Sequence, residues 1–195
     1  MSIPRYAPDL PLPPYSYVPG KFPHPISDPA GHSHGQQLIP PLTSGEHWSM
    51  SLAYRYGIDL FNHGYYWEAH EAWESLWHAV GRQGTDADFL KGLIKLAATG
   101  VKLREGNAAG VRHHALRALE LLGNSQPTEV VGARSSHVFA HLNVNVLREM
   151  AQRISDDPAN CINTSDNPVV RLYPEVLLWL DPLFQDDSPP EKRVN

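Results

Sequence analysis

From residue 46 onward, apolar positions recur at the three-and-four spacing of a helix. Leu52, Tyr56, Leu60 and Phe61 form a first stripe, which Asn62-His63-Gly64 brings to an end. Tyr65 to Val80 predicts a second helix, closed by Gly81 and Gly84. Thr85 or Asp86 can cap a third, from about Ala87 to Glu105, with Gly106-Asn107 as its stop. A fourth covers roughly Ala108 to Leu122 and ends at Gly123-Asn124. Connections this short predict antiparallel neighbours. Pro127 to Leu142 has poor periodicity, and Asn143 then caps a helix from Val144 to Ile154, ended by Asp157-Pro158. Pro158 to Pro168 reads as loop. The segment VVRLYPEVLLWL reads as a short strand followed by a helical turn, with Pro174 leaving that assignment open. The tail DDSPPEKRVN predicts disorder. The pattern therefore predicts an all-α fold, a compact bundle of about five helices.

Residues 1–44 break this pattern with eleven prolines, among them Pro4, Pro8, Pro11, Pro13 and Pro14. Proline excludes helix interiors and removes backbone donors. The same stretch carries Tyr6, Tyr15, Tyr17 and Phe22, more aromatic surface than a solvated linker holds. It is expected to be an extended arm packed on the body. Three parts follow: the arm at 1–44, a helical domain at 45–157, and a C-terminal segment at 158–195.

Composition narrows the function classes. The chain of 195 residues is 42% hydrophobic, enough for one core, and its formal charge of −5 argues against a nucleic-acid footprint. A single cysteine, Cys161, excludes a disulfide framework and a Cys-rich zinc site. The N-terminal residues contain no apolar secretory core, and no apolar run reaches a membrane span, so a cytoplasmic protein without membrane contact is the expectation. No phosphate-cradling loop, nucleophile elbow or dinucleotide fingerprint occurs, and no nucleotide cofactor is expected. The eleven histidines are the distinctive feature; His47, His78 and His137 read as surface or capping residues.

The second helix concentrates the chemistry. At 100° per residue, Ala69, Ala72, Trp73, Leu76 and Val80 share the core face. Tyr66, His70, Glu74 and Trp77 line one edge of it, Glu71 lies further toward solvent, and Glu68 on the opposite flank. The i, i+4 spacing puts His70 and Glu74 about 6 Å apart at Cβ. There they can hydrogen-bond each other, share a divalent ion, or act as acid and base without metal. Trp77 would shield the pair from water, which strengthens electrostatic interactions. Further ligands would have to come from His63, from His113 and His114 on the fourth helix, or from His24, His32 and His34 on the arm. The arm sequence Asp28-Pro29-Ala30-Gly31-His32-Ser33-His34 reads more readily as a capped turn than as a ligand set.

The third helix presents Phe89, Leu93, Leu96, Ala97, Gly100 and Leu103 to the core. Lys91, Lys95 and Lys102 lie on its flank, either as a solvated basic stripe or paired with Glu68, Glu71 or Glu74 across the interface. Gly92 and Gly100 permit close helix approach, at a propensity cost of about 1 kcal/mol each.

The strings LFNHGYYWEAHEAWESLW, FLKGLIKLAA and REGNAAG resemble a prokaryotic family, domain of unknown function 309, over about residues 52 to 122. Its hallmark, His-x-x-x-Glu-x-x-Trp/Tyr, is met by His70, Glu74 and Trp77. The resemblance implies a compact helical fold and a metal bound by the hallmark. The sequence departs from the family where glutamine is common at Lys91 and Lys95 and histidine near Lys102. Three lysines facing the cluster would disfavour a cation and favour ion pairs or an anion.

Three functions follow as expectations. The first is a metal-assisted hydrolase, with His70 and Glu74 as ligands and Glu71 or Glu68 as general base. The second is a binding module for a small anionic ligand or a protein partner. It uses a groove near Trp67, Trp73, Trp77 and Tyr66, with Lys91, Lys95 and Lys102 as its basic wall. The third is a structural His–Glu network. The aromatic arm also offers a surface for homo-oligomer formation.

Overall fold

A computed structural model describes residues 2–36, 39–43, 45–124 and 138–180. The predicted tail and His137 lie outside the described residues, as does most of the stretch from Pro127 to Leu142. The fold is all-α: α1 (Leu52–Asn62), α2 (Tyr66–Ala79), α3 (Thr85–Glu105), α4 (Ala108–Asn124), α5 (Val144–Asp156) and α6 (Pro158–Cys161). A two-residue antiparallel ladder, β1 (Val138–Phe139) with β2 (Leu142–Asn143), precedes α5. Each helix from α1 to α5 packs on the next in sequence.

The helix boundaries follow local chemistry. A 3-10 turn, Trp48–Met50, leads in, and the Ser51 hydroxyl accepts the Tyr54 amide at the start of α1. Gly64, at φ 91°, turns the chain into α2. Gly106 closes α3 in the left-handed conformation, and Asn107 caps α4 through the Gly110 amide at 2.9 Å. Asn143 accepts the Asn145 and Val146 amides, so the expected cap of α5 is in place. Three readings need correction. The chain enters α3 through Gly84 with no side-chain cap, so Thr85 and Asp86 sit inside the first turn. Residues 158–161, expected as loop, wind into one helical turn. Pro158 starts it with its φ already suited, and Asp157 accepts the Asn160 amide. Residues 169–180 form neither strand nor helical turn.

The reason for the last correction is that side chains of the helices and the arm take up much of that segment's backbone, with the Leu180 amide bonding the His141 carbonyl. The Asn62 amide group both donates to Leu177 O (2.9 Å) and accepts from Leu177 N (2.7 Å). The Leu172 amide donates to the Tyr66 hydroxyl at 2.6 Å, and the Tyr173 hydroxyl donates to Leu96 O at 2.8 Å. Buried Arg104 donates to Ser165 O and Asn167 O. The proline-rich arm is held the same way on the other side. Fully buried Asp59 accepts the Tyr6 and Ala7 amides and the Arg5 guanidinium at 2.7 to 2.9 Å.

The core runs through all five long helices and includes Tyr54, Ile58, Phe61, Trp73, Phe89, Leu93, Leu122, Leu147 and Met150. The predicted core face of α3 is buried throughout. Gly100 abuts α2: a Cβ there would lie 2.5 Å from the Tyr66 ring. Gly92 instead abuts Leu122 of α4.

Two stability measurements check this account. Gly100→Ala should lower unfolding free energy by roughly 1–2 kcal/mol in denaturant titrations, because overpacking against a buried ring outweighs the gain in helix propensity. Asp59→Ala should cost roughly 2–4 kcal/mol, since two amides and a guanidinium lose their acceptor, and should make residues 2–12 the first to be cut in limited proteolysis.

Candidate functional site

Helix α2 carries one polar cluster on its half-buried side. His70 Nδ1 lies 3.3 Å from Glu71 Oε1 and 4.0 Å from Glu74 Oε2. One ligand-type atom from each of the three residues falls within 4.8 Å of the others. Helical geometry explains this: positions i and i+4 stack one turn apart, and the long Glu71 side chain folds back toward its neighbour. Glu71, which the helical wheel placed toward solvent, is therefore the closer of the two carboxylates. Among the described residues, these three are the group that could hold a metal ion.

Glu68 has a different occupation. It is buried and bonded by the Ser16 hydroxyl (3.2 Å), the Tyr17 amide (2.9 Å) and His32 Nε2 (3.1 Å). Its oxygens are bonded to the arm, which sets Glu68, offered by the sequence as a general base, apart from Glu71 and Glu74. Tyr66, expected at the edge of the cluster, is a core residue with its ring against Phe61 and Tyr173. Burial pushes its hydroxyl up to about 12. Trp73 is fully buried as well, and Trp67 and Trp77 serve different surroundings. Trp67 meets Tyr17 and His24 of the arm, while Trp77 lies under Lys91 and Arg82 of its own side. The single aromatic groove expected from Tyr66, Trp67, Trp73 and Trp77 therefore does not form.

The lysines divide in an equally specific way. Lys91 Nζ sits 3.7 Å above the Trp77 ring centroid, a cation–π contact worth about 0.5–2 kcal/mol. Lys102 pairs with Glu105 of its own helix at 2.6 Å. Lys95 is half-buried, and among the described residues no carboxylate lies within 4.0 Å of it. Burial lowers its pKa, the charge of Lys91 adds to that, and Glu74 opposes it. Of the two alternatives, a solvated stripe or pairing with α2 glutamates, the second reduces to this longer-range attraction between Lys95 and Glu74.

Helix α4 adds His114, whose Nδ1 is buried without a hydrogen-bond partner among the described residues. Burial holds its imidazole down to about 4, with Lys95, His113, Lys102 and His70 all lowering it further. Its imidazole thus feels the charges of His70 and Lys95 and stays neutral at physiological pH. The other histidines are engaged elsewhere. His63 bonds Asp59 O, and His47 caps the 3-10 turn. In the arm, His24 accepts the Ile26 and Ser27 amides and Asp28 accepts the Ala30 amide. That is the capped turn its sequence predicts.

All of the cluster and its flank fall inside one stretch of α1 to α4. Residues 54–114 match the family model described as Domain of unknown function (DUF309). The DUF309 match runs from Tyr54 to His114, inside the limits of 52 to 122 that the motifs indicate. It includes His70, Glu74 and Trp77, the three lysines and His114. No curated protein matches the chain. No described helix is long and apolar enough to cross a membrane.

The sequence offers His114 as one of several candidate further ligands but does not place it, because its approach depends on how α4 packs on α3. A doublet, His113-His114, on an otherwise apolar-faced helix was the available signal. The folded His114 pKa is below its ordinary value of 6.5. The native state is therefore stabilised above about pH 6.5 and loses that contribution as the pH falls from there through about 4. Urea unfolding at pH 7 and pH 5 should show a larger acid-side loss for the wild type than for His114→Gln, and equal losses would contradict the account.

Proposed function

We propose that His70, Glu71 and Glu74 bind a divalent cation, and that the DUF309 portion of this chain uses it in metal-assisted chemistry of the hydrolytic type. The observation that carries this reading is the convergence of three hard or borderline donors within 4.8 Å. Two carboxylates match the charge of a divalent ion. The lysines weigh against it less than their sequence positions imply, since Lys91 is drawn onto Trp77 and Lys102 onto Glu105. When bound, such an ion polarises a substrate oxygen or lowers the pKa of a coordinated water. His114, kept neutral beside the cluster, is in the state that a further ligand or a proton acceptor needs.

A second reading has its own support. Lys95 is half-buried without a carboxylate within ion-pair distance among the described residues, so an anion beside it would relieve its desolvation.

Titration of the chelator-treated protein with Zn²⁺ and Mn²⁺, followed by calorimetry and elemental analysis, decides between them. Near-stoichiometric binding is expected, weakened at least about tenfold by His70→Ala and by Glu74→Ala while both variants stay folded. A wild type that takes up neither ion overturns the metal reading. If phosphate then raises the melting temperature, and Lys95→Met abolishes the rise, the anion reading takes its place.

A further inference from the structure

A cavity of about 420 Å³ opens between the proline-rich arm and the outer faces of α1 and α2. It shares Glu71 and Glu74 with the cluster, and its other walls come from the arm, α1 and the rest of α2. Ile26 and Ile39 of the arm and Leu60 of α1 give it apolar walls, and Tyr56 and Trp67 add two aromatic rings. Trp67 is held by edge contacts with Tyr17 and His24 at 5.3 and 5.2 Å, so its place in the wall is fixed. Glu68, Glu71 and Glu74 border the space together with the imidazoles of His32 and His78, and among the described residues neither lysine nor arginine does. Glu68 has its oxygens taken up by Ser16, Tyr17 and His32, whereas Glu71 and Glu74 keep about a third of their side-chain surface exposed (39% and 34%).

Small-molecule sites have this size and make-up: an apolar enclosure of roughly 300–1,000 Å³ with a few polar groups that fix orientation. Here the polar groups are carboxylates and the walls include π faces. Both attract a cation, the first by charge and the second by the ring quadrupole. A carboxylate or phosphate ligand would meet repulsion from three acids with no lysine or arginine among the described residues to offset it, and His32 is already turned to Glu68.

We infer that this cavity binds a small organic ammonium, a protonated amine on an apolar or aromatic body. Its body lies against Leu60, Ile26 and Ile39, and its charged end is directed to Glu71 and Glu74. The inference does not depend on a metal in the neighbouring cluster, and it predicts recognition by a protein that has been stripped of metal.

Calorimetry in buffer containing EDTA tests it with three compounds of one shape: 2-phenylethylammonium, uncharged 2-phenylethanol and anionic 3-phenylpropionate. The ammonium should bind about tenfold more tightly than the alcohol, and the carboxylate more weakly still. Glu71→Gln, at a partly exposed helical position, should remove most of the preference for the ammonium and leave the affinity for the alcohol unchanged. Glu74→Gln repeats the test at a second position, with circular dichroism confirming that both variants fold. Equal affinities for the three compounds, no binding of the ammonium at millimolar concentration, or a preference untouched in both variants would overturn the assignment. None of these results bears on uptake of Zn²⁺ or Mn²⁺, which is measured separately.

Discussion

Backbone that is neither helix nor sheet still needs partners for its amides and carbonyls when it packs on a protein surface. This fold depends on meeting that need with buried polar side chains. Two long irregular segments, the N-terminal arm and residues 162–180, lie on the helical bundle. Asp59 and Glu68 serve the first, and Asn62, Tyr66 and Arg104 serve the second. Each of these five is buried and belongs to α1, α2 or α3. The polar residues that look out of place on the helices are thus what allow proline-rich, unpaired chain to be part of the folded body.

That role also orders the candidate site. Once Glu68 is taken by the arm, the acidic content of α2 that is left for chemistry is Glu71 and Glu74, and these meet His70. On the facing helix, an aromatic ring and a neighbouring glutamate draw two of three lysines away. What remains is a local balance of two carboxylates, one half-buried lysine and a neutral histidine. Burial sets the last two as much as their neighbours do.

The helices were legible in the sequence because their apolar spacing and their stops, Gly64, Gly81, Gly84 and Gly106, are local signals. His70 and Glu74 were legible for the same reason, since i, i+4 proximity needs only a helix. Whatever depends on contacts distant in sequence was not. Glu68 and Glu71 have the same chemistry on the same helix. Only the docking of Ser16, Tyr17 and His32, more than thirty residues upstream, separates an arm anchor from a cluster member. Tyr66 read as an edge residue on a wheel drawn for α2 alone, and the packing of residues 172–173 makes it core. The segment from 169 to 180 has strand-like composition, but its Leu172, Leu177 and Trp179 amides go to the side chains of Tyr66, Asn62 and Tyr6, a pairing that no periodicity records.

The cluster on α2 draws on one turn of one helix, whereas the adjoining cavity takes its walls from the arm as well as from α1 and α2. The two therefore depend on different parts of the chain. A helix closes in about a microsecond, and the three donors come together with it. The cavity exists only after a distant, proline-rich segment has found Asp59 and Glu68. A molecule with its arm undocked would keep the cluster and have no enclosure beside it. The strength of that docking would then govern how much of the population presents a walled site rather than a bare one.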